Sequence, residues 1–244
     1  MEPLAVGEAV KRVIVALDPA RRGDVDRLLD MAKQVCGVGA GIKVGLPMLA
    51  LGGSEALAEA ARLCKGGGLR VLDLKLADIG YIMRLAAESL SRGFDAAIAH
   101  AFVGYEGGLV ELKKALEDLG ARLVLVVSMS HPGSGEVLDP CLDKLLAVAR
   151  RVEPWGVVAP ATRPEVVARV RETLPTTVIM SPGVGAQGGR PGDAICLGGA
   201  DYEIVGRMVA SSPDPVSALR GVAEYIAARC PEKLLHSSTG NGPS

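Results

Sequence analysis

Val71-Leu72-Asp73-Leu74-Lys75-Leu76-Ala77-Asp78-Ile79 begins as an apolar strand and ends as a charged cluster. Side chains two apart on a strand share a face. Asp73 and Lys75 therefore point one way, and Leu72, Leu74 and Leu76 the other. Asp78 follows just past the strand end. An aspartate and a lysine on the inner face of an apolar strand cost free energy unless they are paired. A structural ion pair and a catalytic one both satisfy that condition, so the decision passes to the rest of the chain.

Outward from this stretch, short β-rich runs alternate with longer helical ones. The pattern predicts strands over 13–17, 41–44, 70–75, 95–99, 122–128, 156–159, 177–180 and 202–205. Helices are predicted over 23–35, 54–64, 82–91, 107–119, 140–152, 163–173, 193–197 and 213–229. Eight strand–helix units in 244 residues point to an α/β fold, a single-domain (β/α)8 TIM barrel spanning 1–230. A doubly wound open sheet is the alternative, but no G-x-G-x-x-G follows the first strand. From Pro231 the chain turns polar, and 231–244 reads as a disordered tail.

Bulk properties exclude several classes of function. Hydrophobic residues make up 49%, enough for a large core, and the net charge of −1 leaves no footprint for nucleic acid. No apolar run is long enough to span a membrane, and residues 1–11 show no signal-peptide pattern. Cys36, Cys64, Cys141, Cys196 and Cys230 are scattered, form no C-x-x-C pair, and read as small core residues of a reducing, cytoplasmic compartment. Asn241 is the only asparagine, and Gln34 and Gln187 are the only glutamines, a depletion of labile amides that hints at a thermophilic source.

In a barrel of this type, chemistry sits where strands end and βα loops begin. Reading those ends in order yields Asp18, then Lys43, then Asp73, Lys75 and Asp78, then His100. Next come Ser130-His131-Pro132-Gly133, Pro160-Ala161-Thr162, Ser181-Pro182-Gly183 and Gly206-Arg207. The polar residues gather at one end of the predicted barrel. Taken singly, Asp18 suits a turn or helix cap, Lys43 could extend outward, and His100 and His131 suit hydrogen-bonded loop ends. No H-x-H, HExxH or Cys/His cluster marks a metal site.

The loop after the seventh strand carries five glycines between 183 and 192, together with Gln187 and Pro191. Loops after strands seven and eight are the usual phosphate site of this barrel. Gly206 lets a backbone N–H approach an anion, and Arg207 can grip it bidentately. The glycines also allow the loop to close as a lid.

At this point the chain resembles the orotidine 5′-monophosphate decarboxylase family in its short archaeal form. The markers, in order, are Ala16-Leu17-Asp18, Ile42-Lys43-Val44-Gly45, Asp73-x-Lys75-x-x-Asp78-Ile79 and Met129-Ser130-His131-Pro132-Gly133. Ser181-Pro182-Gly183-Val184-Gly185-Ala186-Gln187-Gly188-Gly189 and Val205-Gly206-Arg207 complete the set. The resemblance implies decarboxylation of orotidylate to uridylate, the last step of pyrimidine synthesis, with no cofactor and no metal. It makes Lys75 the proton donor to C6, sets Asp73 against the substrate carboxylate, and has Lys43 hold the array together. Asp78 and Ile79 would reach into the neighbouring subunit's site of a homodimer. Asp18 and Lys43 would contact the ribose, Ser130 would read the pyrimidine edge, and Pro182 would line the base pocket. Gln187, Gly206 and Arg207 would hold the phosphate. One departure stands out: where the family has a threonine that bonds a ribose hydroxyl, this chain has Ile82.

Two rivals share part of the pattern. The Mg2+-dependent sugar-phosphate decarboxylases and hexulose-phosphate synthases carry the same Asp-x-Lys-x-x-Asp core. Their metal-binding glutamate after the second strand has no counterpart in Lys43-Val44-Gly45-Leu46-Pro47. A non-catalytic phosphate-binding barrel would keep the loop, but the intact set of Lys43, Asp73, Lys75 and Asp78 speaks against it.

Overall fold

The computed structural model describes residues 3–235. Eight strands close into a barrel: β1 (Val13–Ala16), β2 (Gly41–Gly45), β3 (Arg70–Leu76), β4 (Ala96–His100), β5 (Arg122–Val126), β6 (Gly156–Val158), β7 (Val178–Val184) and β8 (Tyr202–Val205). Each pairs in parallel with the next, and β8 returns to β1 through Val13↔Glu203 and Val15↔Val205. The expected (β/α)8 barrel is the observed one.

Helices α1 (Pro3–Lys11), α2 (Val25–Gly37), α3 (Leu46–Leu63), α4 (Gly80–Leu90), α5 (Val110–Asp118) and α6 (Ser134–Val137) cover the first part of the ring. Helices α7 (Leu142–Val152), α8 (Pro164–Thr173), α9 (Arg207–Ala210), α10 (Pro215–Arg229) and α11 (Pro231–Leu235) complete it. The helices bury one stripe each. In α7, Leu142, Leu145, Leu146, Ala149 and Val152 are buried at the i, i+3, i+4, i+7 spacing of a single helix face.

The strand alternation sorts side chains into two cores. Ile14, Val71, Ile98, Val124, Val158 and Ile204 are among those filling the barrel interior. Their neighbours Val15, Leu72, Ala97, Leu125, Val157 and Val205 pack outward beneath the helices. Two residues on from Val71, inward parity carries Asp73 above the interior core and towards the mouth.

Several boundaries differ from the sequence expectation. Helix α3 begins at Leu46, with Pro47 in its first turn, and kinks at Gly53, where φ is 77°. The adjacent glycines conceal its first half from a propensity reading. Helix α1 was not expected, yet it packs against α10 and α11. Strand β7 runs on to Val184 because its last residues still pair with β8 across a register shift between Pro182 and Val184. The helix expected over 193–197 is a π-turn, Ala194–Gly198. Helix α11 occupies the start of the segment read as a disordered tail, while residues 236–244 lie outside the described residues.

The cysteine reading is corrected. Cys36 is joined to Cys64 and Cys196 to Cys230 by disulfides, and Cys141 is free and exposed. Each pair brings together the ends of two neighbouring elements, a proximity that linear spacing hides. The argument from cysteines to a reducing compartment therefore fails. No helix among the described residues is long and apolar enough to cross a membrane.

Candidate active site

The charged array is built from two adjacent strands. Lys43 lies on β2, and the carboxylate of Asp73 on β3 takes its ammonium at 3.1 Å. Gly45 permits the close approach, since a Cβ there would collide with the Asp73 carbonyl oxygen. Lys75 donates to both oxygens of Asp73, at 2.8 and 2.7 Å. Asp18, just beyond β1, accepts from Lys43 at 3.4 Å. The chain of alternating charge is thus Asp18, Lys43, Asp73, Lys75.

Lys75 has φ of 47°, the left-handed region that non-glycine residues avoid. There β3 loses register with β4 between Leu72 and Leu76. This bulge turns the Lys75 side chain back onto Asp73.

Lys43 and Asp73 are both buried. Burial opposes each charge, but the attraction between them, with help from Asp18 on one side and Lys75 on the other, outweighs it. The Lys43 pKa is raised and that of Asp73 lowered, so both remain ionised. His100, half-buried at the end of β4, is pushed down by burial and further by Lys75. Its Nδ1 has no hydrogen-bond partner among the described residues, and its ring lies 4.8 Å from that of Phe102.

A cavity of about 410 Å³ opens at the C-terminal mouth of the barrel. Asp18, Lys43, Asp73, Lys75, Ser130, Pro182, Gln187, Gly206 and Arg207 all line it. Asp78 and Ile79 do not; both are exposed, and Asp78 accepts the Ile79 N–H at 2.7 Å. The structure therefore gathers nine of the eleven predicted site residues in one cavity and leaves two outside its lining.

The loop over 183–192 folds on itself. Gly185 N–H donates to Gly189 O at 2.8 Å and Gly189 N–H to Gly183 O at 3.1 Å. Gly183 has φ of 107°, and a Cβ there would meet Ser130 at 2.8 Å, so only glycine lets this loop close on the one after β5. Arg207 opens α9 directly after Gly206, and no hydrogen bond or ion pair to the described residues occupies its guanidinium.

Sequence reasoning missed the support beneath Ser130. Arg163 donates to Met129 O at 2.7 Å and pairs with Asp139 at 3.0 Å. Asp139 in turn accepts from Ser128 and Ser134 at 2.6 and 2.9 Å. Serines spaced six apart before an aspartate carry no recognisable signal, because the network closes through loops from different strands.

Residues 11–222 match the family model described as "Orotidine 5'-phosphate decarboxylase / HUMPS family". The chain belongs to the orotidine 5′-phosphate decarboxylase / HUMPS family. A protein from Aeropyrum pernix named orotidine 5′-phosphate decarboxylase is 96% identical over 244 residues, covering 100% of both chains. One of the same name from Thermococcus kodakarensis is 42% identical, covering 88% of this chain and 96% of its own. Among solved structures, orotidine 5′-monophosphate decarboxylase from Metallosphaera sedula superposes with a TM-score of 0.77 at 44% identity, covering 89% of this chain and 98% of that one. The Methanocaldococcus jannaschii decarboxylase, complexed with the inhibitor BMP, superposes with a TM-score of 0.79 at 33% identity, covering 88% and 98%.

Proposed function

We propose that this chain decarboxylates orotidine 5′-monophosphate to uridine 5′-monophosphate, the last step of pyrimidine nucleotide synthesis. The observation that carries the reading is Lys75, bent by its own backbone onto Asp73 inside a cavity whose far side offers Arg207. Loss of CO2 from C6 of the pyrimidine leaves a carbanion with no electron sink. A fixed ammonium beside it is the lever available to the protein. At about 4 Å and an effective dielectric near 20, one such charge is worth on the order of 4 kcal/mol.

In this reading Lys75 stabilises the developing charge and then delivers the proton to C6. Asp73 orients Lys75 and faces the departing carboxylate, so their repulsion is relieved as CO2 leaves. Lys43 keeps Asp73 ionised and, with Asp18, contacts the ribose. Ser130 reads the base edge, and Pro182 lines the base pocket. Gln187, Gly206 and Arg207 hold the phosphate, whose binding energy positions the remote reacting carbon.

Asp78 and Ile79 act in the neighbouring subunit of a homodimer. Support comes from their position outside their own cavity and from the exposed apolar side chains of Tyr81, Ile82 and Leu85, which follow within six residues of Ile79. We place the enzyme in the cytoplasm on the nature of the reaction, since intracellular proteins of hyperthermophiles also carry disulfides.

The family description spans the Mg2+-dependent sugar-phosphate rival, so the test must separate the two. Among the described residues no group of three or more His, Cys, Asp or Glu side chains is arranged to hold a metal ion. Purified protein should consume orotidylate, followed by its absorbance, at the same rate before and after exhaustive EDTA treatment. Activity lost to EDTA and restored by Mg2+ would favour the rival.

A further inference from the structure

Among the described residues, Glu203 is the one acidic side chain with no exposed surface. On β8, Ile204 faces the barrel interior and Val205 faces the helices, so strand parity turns Glu203 outward as well. Among the described residues, no lysine or arginine donates to its carboxylate. Instead, Oε2 accepts the Gly192 N–H at 2.8 Å, and Oε1 accepts those of Ala194 and Ile195 at 3.0 and 3.4 Å. These three donors begin where the loop over 183–192 ends.

The far side of the same segment is also held. Arg229 donates to Pro191 O at 3.2 Å and pairs with Asp193, and Cys196 is joined to Cys230. Lys233 donates to Cys196 O at 2.6 Å. The segment 191–198 is therefore clamped between β8 within and α10–α11 without. Burial pushes the Glu203 pKa up to about 7, with Asp193 adding to the effect. An apolar side chain at this outward position would pack without that cost, as its neighbour Val205 does. What the carboxylate adds is a rigid tie. Three residues after Glu203, the same strand leads into Gly206 and Arg207.

We propose that Glu203 is a positioning residue for phosphate recognition: it fixes the trailing end of the 183–192 loop to the strand that presents Arg207. The proposal rests on reading that loop and Arg207 as the phosphate site. It concerns a residue that touches neither substrate nor reacting atoms, so its effect should reach only substrates that carry a phosphate.

The test compares orotidylate with orotidine, which lacks the phosphate, in Glu203→Leu and Glu203→Gln. Leucine should raise the KM for orotidylate about tenfold, as a displaced remote contact does, and glutamine, which keeps one acceptor oxygen, should raise it less. The kcat/KM for orotidine should hold within about twofold in both. Equal losses on the two substrates, or an unchanged KM for orotidylate, would overturn the proposal. Arg207→Ala is the independent control: if it fails to separate orotidylate from orotidine, the phosphate reading itself is wrong, whatever Glu203 does. Should neither Glu203 variant fold, amide exchange on the wild-type protein decides. Uridine 5′-monophosphate should slow exchange at Gly192, Ala194 and Ile195, whereas unaltered protection at all three would refute the tie.

Discussion

Lys75 donates to both carboxylate oxygens of Asp73, at 2.8 and 2.7 Å, from a backbone turned to φ 47°. A regular strand would hold the two side chains parallel. At this bulge the two neighbours on a face form a bonded pair, and backbone strain is stored at Lys75.

That strain separates catalysis from stability. Lys75→Ala should fold but lose turnover by more than about a thousandfold, since the proposed mechanism draws both its stabilising charge and its proton from Lys75. Lys75→Gly should be equally inactive, yet more stable than Lys75→Ala by about 1 kcal/mol, because glycine accepts a positive φ freely. Thermal melts and initial rates check both halves. A Lys75→Ala protein retaining a tenth of wild-type rate would remove Lys75 from the mechanism.

Asp78 lies outside its own cavity, so subunit exchange can locate its site of action. If, as proposed, two subunits share each site, Lys75→Ala and Asp78→Ala mixed and exchanged place both defects in one site of the hybrid dimer and neither in the other. Equal mixing makes about half the dimers hybrid, so activity should return to roughly a quarter of wild type. If mass spectrometry shows exchange but no activity returns, Asp78 works within its own chain.

Glu203 titrates at about 7 in the fold against a usual 4.5. The folded chain therefore binds this proton more tightly than the unfolded chain does. Below about 4.5 both states hold it and there is no penalty. Between about 4.5 and 7 the unfolded state ionises first, so the contribution of Glu203 to stability falls as pH rises, and above about 7 it levels off. The charged groups flanking it are Asp193 and that residue's partner Arg229. Unfolding free energies measured from pH 4 to 8 should lose this falling component in Glu203→Gln. Parallel curves for variant and wild type would mean that Glu203 does not titrate in this window.

The disulfides close loops with sequence separations of 28 and 34. In the chain-entropy picture each is worth roughly 3–4 kcal/mol. Full reduction should lower the melting temperature by several degrees or more. Identical melting in oxidised and reduced samples, with thiols counted by alkylation, would show that the bridges are absent in solution.

Much of this was legible beforehand because barrel strands announce themselves. All eight appear as short apolar runs, and strand parity puts Asp73 and Lys75 on one face, where the structure bonds them. Nine of the site residues line one cavity because strand ends converge there by construction. What stayed hidden depends on contacts between distant elements. The cysteines pair across helix ends, Arg163 braces a loop from another strand, and α1 is helical against α10 and α11. Glu203 had a signal that went unused. It is an acid inside a four-residue apolar strand, the same anomaly that singled out Asp73.

Closure of β8 against β1 joins residues from nearly opposite ends of the chain. Until that last strand arrives, a growing polypeptide has two open sheet edges, at β1 and β7, and such edges invite mispairing between molecules. Pairing over so long a separation is also slow. Arg207 and Glu203 both ride on this final strand or just beyond it, so an incomplete chain lacks the phosphate site proposed above. Assembly of the ring and acquisition of ligand affinity are then one event. A nucleotide that binds only the completed ring draws the folding equilibrium towards it, so the enzyme's own product should raise the yield of refolding.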